Sequence, residues 1–194
     1  VGNLVSLGGF DNGGSTTGWG GTATIDVEDD AGITGYGDGA LRVTTGTTNQ
    51  WAEEIVTTVV GELYNFIVWQ KNGTSNDSQI LVGTTSGGGQ YYAQAHYSNT
   101  WTKAADIIFE ATTTSTYINL RAMGTSGTQY FDNCVLRDVT DGCDLPDLNL
   151  YLTEDGEVFY NSSQAIGGFQ FDVDGATVNG GSGGAAEDAG FMIS

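Results

Sequence analysis

The feature of this sequence that most restricts its fold is the recurrence of short runs in which apolar and polar residues alternate, each closed by glycine, asparagine or aspartate. The clearest is Leu63 to Lys71, where Tyr64, Phe66 and Val68 fall on one face and Asn65, Ile67, Trp69 and Lys71 on the other. A period of two is the signature of a half-buried strand. Comparable runs occupy 3–6, 23–27, 40–44, 51–60, 79–82, 90–97, 101–110, 116–122 and 128–137. With 31 glycines against a single proline, the turns between them are built without proline. No stretch calls for a helix longer than a turn or two. Strands of this length and spacing predict an all-β chain, a two-sheet antiparallel β-sandwich of the jelly-roll kind.

Charge narrows the partners. The 24 acidic residues face only Arg42, Lys71, Lys103, Arg121 and Arg137, for a formal charge of -19, and no basic cluster exists. Nucleic acid and anionic membrane surfaces need concentrated positive charge and are disfavoured. No run approaches the roughly 18 apolar residues of a membrane span, so no membrane insertion is expected. From Asp138 onward there are eleven acids and no base, a change of character that predicts a domain boundary. The expected division is a jelly roll over 1–138, a linker over 139–147, and a short, incomplete second β unit over 148–194. In that last unit, 148–152, 157–160 and 168–173 read as strands.

Within 128–137, TQYFDNCVLR, uninterrupted alternation places Tyr130, Asp132, Cys134 and Leu136 on one side. Three of these favour burial. A carboxylate on such a face is costly unless it finds hydrogen bonds, a cation or a metal ion. Asp132 is therefore either an exposed strand end or backbone cap, or one carboxylate of a cation site, for which Asp11 in GGFDNG supplies a second. Cys134 and Cys143 do not make a disulfide framework, and the inward parity of Cys134 suits a buried thiol as well as a bridge.

Four segments occur in an order that resembles the jelly-roll carbohydrate-binding modules of the family 4, 9 and 22 type: NLVSLGGFDNG, LYNFIVWQKN, TWTKAADIIFEAT and YFDNCVL. The resemblance covers about residues 3–138. It implies a non-catalytic module with a structural calcium ion, Ca2+, and an aromatic-lined sugar cleft. By motif position the acidic ligands fall on Asp11 and Asp132, with aspartate at position 11 where the family more often has glutamate. The cleft aromatic falls on Trp69. Residues 148–178 resemble, more weakly, the opening strands of a cohesin-like sandwich.

A sugar ring presents an apolar face and a rim of hydroxyls, so its site needs an aromatic platform beside amide or imidazole groups. Trp69 lies on the mixed face of its strand, and Tyr92, Gln94 and His96 share one face of theirs. These four are the predicted ligand-binding residues, with Trp51 beside Glu53 and Glu54 as a further candidate. The chain's chemistry offers little else. One histidine and two cysteines exclude a zinc site. Gly180 to Gly184 satisfies G-x-S-x-G only within a glycine run that lacks a strand-to-helix turn. Glu53 and Glu54 are adjacent in a strand and point to opposite faces, so they cannot flank one glycosidic bond. The expectation is a non-catalytic glycan-binding or adhesion module of an extracellular or particle-surface protein. The alternative is a structural subunit of an extracellular assembly, such as a phage tail fibre, capsid decoration or surface filament, in which neighbouring protein subunits complete the unpaired strands.

Overall fold

The computed structural model describes residues 2–5, 9–10, 15–29, 31–33, 39–48, 50–75, 77–153, 156–170, 172, 174 and 177–191. The chain divides into two compact units, residues 1–161 and 162–194.

The first unit is a sandwich of two five-stranded antiparallel sheets. Its strands are β1 (Gly20–Gly21), β2 (Thr24–Glu28), β3 (Ala40–Thr45), β4 (Trp51–Thr57), β5 (Leu63–Asn72), β6 (Ser78–Gly83), β7 (Tyr92–His96), β8 (Thr102–Glu110), β9 (Ser115–Ala122) and β10 (Gly127–Asp138). The first sheet runs β1-β4-β9-β6-β7 and the second β2-β3-β10-β5-β8. Consecutive strands alternate between sheets at several points, which is the jelly-roll arrangement. Each strand's alternation sends one face inward: Tyr64, Phe66 and Val68 from β5 meet Ile80 and Val82 from β6 and Ile118 and Leu120 from β9. Burying each such side chain contributes about 1.5–3 kcal/mol. Phe10 and Trp19 anchor the glycine-rich N-terminal segment in this core, with ring centroids 5.9 Å apart.

Residues 2–5 are not a strand. Instead the Asn3 side chain substitutes for a strand's backbone pairing: its Nδ2 donates to the Cys134 carbonyl at 2.9 Å and its Oδ1 accepts from the Leu136 N–H at 3.0 Å. The Leu4 N–H then donates to the Leu136 carbonyl at 2.7 Å.

The parity predicted for the last strand is corrected at one point. The pairing of β10 with β5 shifts between Asp132 and Val135, and Asn133 adopts φ 45°. This β-bulge inserts a residue and reverses which side chains face inward. Before it, Gln129 and Phe131 face the core; after it, Cys134 and Leu136 do. Tyr130 and Asp132 therefore share the outer face, where Asp132 lies opposite Trp69 and Tyr130 opposite Lys71. Asp132 is nevertheless fully buried, because the loop after β2 crosses that face. The Ile33 N–H donates to Asp132 Oδ2 at 2.9 Å, and Trp101 Nε1 donates to the Ala31 carbonyl at 3.1 Å.

The boundary expected after Asp138 falls inside the first unit. A single 3-10 turn at Gly142–Asp144 leads into a hairpin of β11 (Asn149–Leu152) and β12 (Val158–Asn161). Leu145, Tyr151 and Phe159 pack with Leu63, Ile108 and Val139, covering one end of the second sheet. Asn161 Nδ2 donates to the Leu145 carbonyl at 2.8 Å and fixes the hairpin's return. The linker-like composition of 139–147 conceals this cluster, since only Val139 and Leu145 carry its apolar contacts. In the second unit, the strand expected at 168–173 is absent from the described residues 168–170 and 172. Its described residues include a short helix, α1 (Gly184–Asp188), and a stacked pair of rings, Phe169 and Phe191.

Candidate functional site

The four predicted ligand-binding residues do not converge. Trp69 lies on the outer face of the second sheet, half-buried, between Asp132 on β10 and Lys103 on β8. Tyr92, Gln94 and His96 lie on β7, the edge strand of the first sheet, opposite Val82, Ile80 and Ser78, and of the three Tyr92 and His96 are partly buried. Tyr92 and His96 there close the sandwich edge. The Tyr92 hydroxyl donates to the Ala104 carbonyl of β8 at 2.8 Å, and His96 Nε2 lies 3.1 Å from the Tyr92 hydroxyl oxygen. With its one proton given to Ala104, the hydroxyl can only accept, so the proton sits on His96 Nε2. Burial lowers the His96 pKa and raises that of Tyr92, favouring the neutral form of each. Gln94 is exposed.

Of the expected metal ligands, Asp11 lies outside the described residues. Asp132 accepts from the backbone N–H groups of Ile33 (2.9 Å) and Asn133 (2.6 Å). An oxygen donor of this kind is the type calcium prefers. Among the described residues no group of three or more histidine, cysteine, aspartate or glutamate side chains gathers. Cys134 is buried and Cys143 exposed, both as free thiols. Burial, with the negative charges of Glu54 and Asp132, pushes the Cys134 thiol well above its usual range.

A denser arrangement of aromatic and polar groups forms on the outer face of the first sheet. Register places Trp51 (β4), Arg121 (β9), Gln79 (β6) and Ala95 (β7) in one row across the sheet, and Glu53, Asn119, Leu81 and Ala93 in the next. Ile55, Tyr117 and Gly83 form a third row. The Arg121 guanidinium stacks on the Trp51 indole, 4.9 Å from the ring centroid, while its Nη1 donates to Gln79 Oε1 at 2.8 Å. Burial lowers the Arg121 pKa. The loop following β6 folds back over the middle row, where the Gly87 N–H donates to Asn119 Oδ1 at 3.0 Å. Glycine is required in that loop: a Cβ at Gly89 would collide with Ala93 and Leu81.

Three polar atoms of this face are shielded from solvent and have no hydrogen-bond partner among the described residues: Trp51 Nε1, Glu53 Oε2 and Arg121 Nε. Leaving such atoms unsatisfied costs about 1–3 kcal/mol each, so unmet donors and an unmet acceptor are concentrated beside one aromatic ring. Glu54, by contrast, points inward and is buried, so the two adjacent glutamates do occupy opposite faces. Sequence reasoning named Trp51 but missed Arg121, Gln79 and Asn119 as its neighbours. The available signal was the strand 116–122, which segregates Tyr117, Asn119 and Arg121 opposite three apolar residues. Nothing in the sequence specifies which strand that polar face lies beside.

No protein-family profile matches the chain, and no curated protein matches it in sequence. Solved structures do match in fold. One is a family 4 carbohydrate-binding module, at TM-score 0.53 and 14% identity over 70% of this chain and 99% of that one. Another is the xylan-binding domain from family 22, at TM-score 0.52 and 17% identity over 70% and 95%. A third is the enzymatically active domain of bacteriophage CBA120 tailspike protein 4, at TM-score 0.53 and 15% identity. That match covers 71% of this chain and only 21% of the tailspike domain. The chain thus has the jelly-roll fold of carbohydrate-binding modules. Among the described residues no helix is long and apolar enough to cross a membrane.

Proposed function

We propose that this chain is a non-catalytic glycan-binding module of a larger extracellular or particle-surface protein, and that its ligand lies across the outer face of the first sheet, against Trp51. The observation that carries this reading is the row Trp51–Arg121–Gln79, in which the guanidinium stacks on the indole and donates to the amide oxygen. An indole supplies the apolar platform that a sugar ring needs, and the half-buried Arg121 guanidinium and Gln79 amide beside it suit hydroxyls, which both donate and accept. The exposed alanines of β7 leave the floor beside the row low enough for a chain to pass. Likeness to carbohydrate-binding modules supports the ligand class.

The test is affinity electrophoresis of the full chain through gels containing neutral polysaccharides. Retardation by at least one polymer, lost in Trp51→Ala and kept in Trp69→Ala, is expected. Retardation unaffected by Trp51→Ala would refute the assignment.

A calcium ion at Asp132, joined by Asp11, belongs to the same proposal. It rests on a fully buried carboxylate, whose oxygens are the donor type calcium prefers. Excess chelator should then lower the melting temperature; an unchanged melt would remove the ion from this account.

A second reading, assembly with neighbouring protein subunits, is favoured by the far face of the β11–β12 hairpin. There Leu148, Leu150 and Leu152 are each about half exposed or more. Light scattering of the chain at rising concentration addresses self-association: a rising mass would support this reading and a constant monomer mass would count against it.

A further inference from the structure

An open sheet has two edges, so the sandwich has four, and an unpaired edge is a template for another strand unless something protects it. Three of the four are protected. β1 is only two residues long, β2 carries Asp26 and Glu28, and β8 carries Lys103, Asp106 and Glu110. The fourth edge is β7, and it has none of these devices. Tyr92, Ala93, Gln94, Ala95 and His96 include no charged residue and no proline, and the pairing with β6 shows no register shift. Among the described residues nothing pairs with the far side of this strand.

The sequence around β7 is equally distinct. From Ser78 to Thr102, 25 residues, there is no aspartate, glutamate, lysine or arginine, in a chain whose formal charge is -19. Two copies of so acidic a chain repel one another wherever their carboxylates come within a screening length of about 8 Å. Along β7 there is nothing to repel. Ala93, Gln94 and Ala95 are exposed, as is Tyr97 just beyond the strand. Tyr92 and His96 are engaged with each other and with the Ala104 carbonyl of β8, so neither side chain is spent on shielding the edge.

We propose that β7 is a dimerisation edge whose partner is the β7 of a second copy of this chain. The strand is self-complementary. Antiparallel pairing about a two-fold axis at Gln94 sets Ala93 against Ala95 and Tyr92 against His96, and the contact closes on itself as a dimer. Two five-stranded sheets become one sheet of ten. With the axis perpendicular to that sheet, both outer faces lie on the same side, and the two Trp51 side chains are seven strand spacings apart, about 34 Å. On the glycan-binding reading above, such a dimer is bivalent and gains avidity on a polymer; the pairing itself does not rest on that reading.

The experiment is sedimentation equilibrium of the full chain at physiological salt over about 10–500 µM, since a contact one strand wide belongs to the weak, transient class. The variants are Gln94→Lys, Gln94→Glu, an equimolar mixture of the two, and Leu150→Ser on the far face of the hairpin. Both positions are exposed, so the thermal melts should not change. The wild-type mass is expected to double and stop there. Each charged variant alone sets like charges against each other across the axis and should raise the dimer dissociation constant about tenfold or more. The mixture pairs opposite charges and should restore association, and Leu150→Ser should behave as the wild type does. A constant monomer mass, or charged variants that associate like the wild type, would overturn the proposal. So would association lost in Leu150→Ser and kept in Gln94→Lys, which would place the contact on the hairpin. Trp51→Ala should dimerise normally, so a failure of sugar binding and a failure of pairing are read separately.

Discussion

Replacing Asp132 by alanine tests the structural reasoning at its most exposed point. The carboxylate is fully buried and accepts from the N–H groups of Ile33, 99 residues away in sequence, and Asn133, inside the bulge. Hydrogen bonds to charged groups contribute about 1.5–3 kcal/mol each, which would give about 3–6 kcal/mol for the two. Removing a buried charge also relieves its desolvation, and the neighbouring Asn133 bond closes only a local loop. A net loss of about 2–4 kcal/mol is the consequence. For a unit of this size that corresponds to a melting temperature lower by roughly 5–15 °C. Asp132→Asn keeps the shape and one acceptor oxygen, so it should lose about half as much. The assay is urea unfolding of wild type and both variants, run in chelator so that no ion contributes, with hydrogen exchange of the Ile33 amide as the local readout. If Asp132→Ala lies within about 0.5 kcal/mol of wild type, or Ile33 stays protected, the carboxylate does not hold the loop.

Other outcomes follow from the same geometry. The His96 pKa is lowered in the folded chain, so below about pH 6.5 the unfolded state binds more protons and stability must fall with falling pH. His96→Gln should flatten that part of the melting temperature profile between pH 7 and 5, and an unchanged slope would contradict the burial argument. A thiol reagent at pH 8 should titrate one cysteine, Cys143, in the native chain and the second only after unfolding, because Cys134 is buried with its pKa raised; two reactive native thiols would refute this. Leu145→Ala should release the hairpin without melting the sandwich, since Leu145 belongs to the small cluster beneath β11 and β12. Hydrogen exchange should then accelerate over 149–161 and not over β5 or β10, and uniform acceleration would show that the hairpin and sandwich fold as one.

The strands were legible because alternation is a local property: β5 needs only its own residues to declare which side is buried. The bulge was not, since a single residue at positive φ, Asn133, looks like any other position in an alternating run yet turns Asp132 from the inner to the outer face. The burial of Asp132 was legible only as a problem, a carboxylate among apolar residues. Its solution lies in the Ile33 N–H, supplied by a loop that the sequence alone cannot place. The candidate site followed the same division. Trp51 and Arg121 were each visible as members of mixed strand faces, but their stacking depends on a pairing between positions 70 residues apart. Trp69 and Tyr92 were joined in expectation because both faces looked suitable for sugar, and they separated because they lie on different sheets.

The chain has four tryptophans, Trp19, Trp51, Trp69 and Trp101, so its indole Nε1–H resonances can be followed individually in a heteronuclear NMR titration with a neutral polysaccharide fragment that binds. The account predicts that the Trp51 resonance shifts with saturation while Trp19, buried in the core, does not move. A saturable titration in which Trp51 stays unchanged and Trp69 or Trp101 responds would contradict the placement of the glycan on the first sheet.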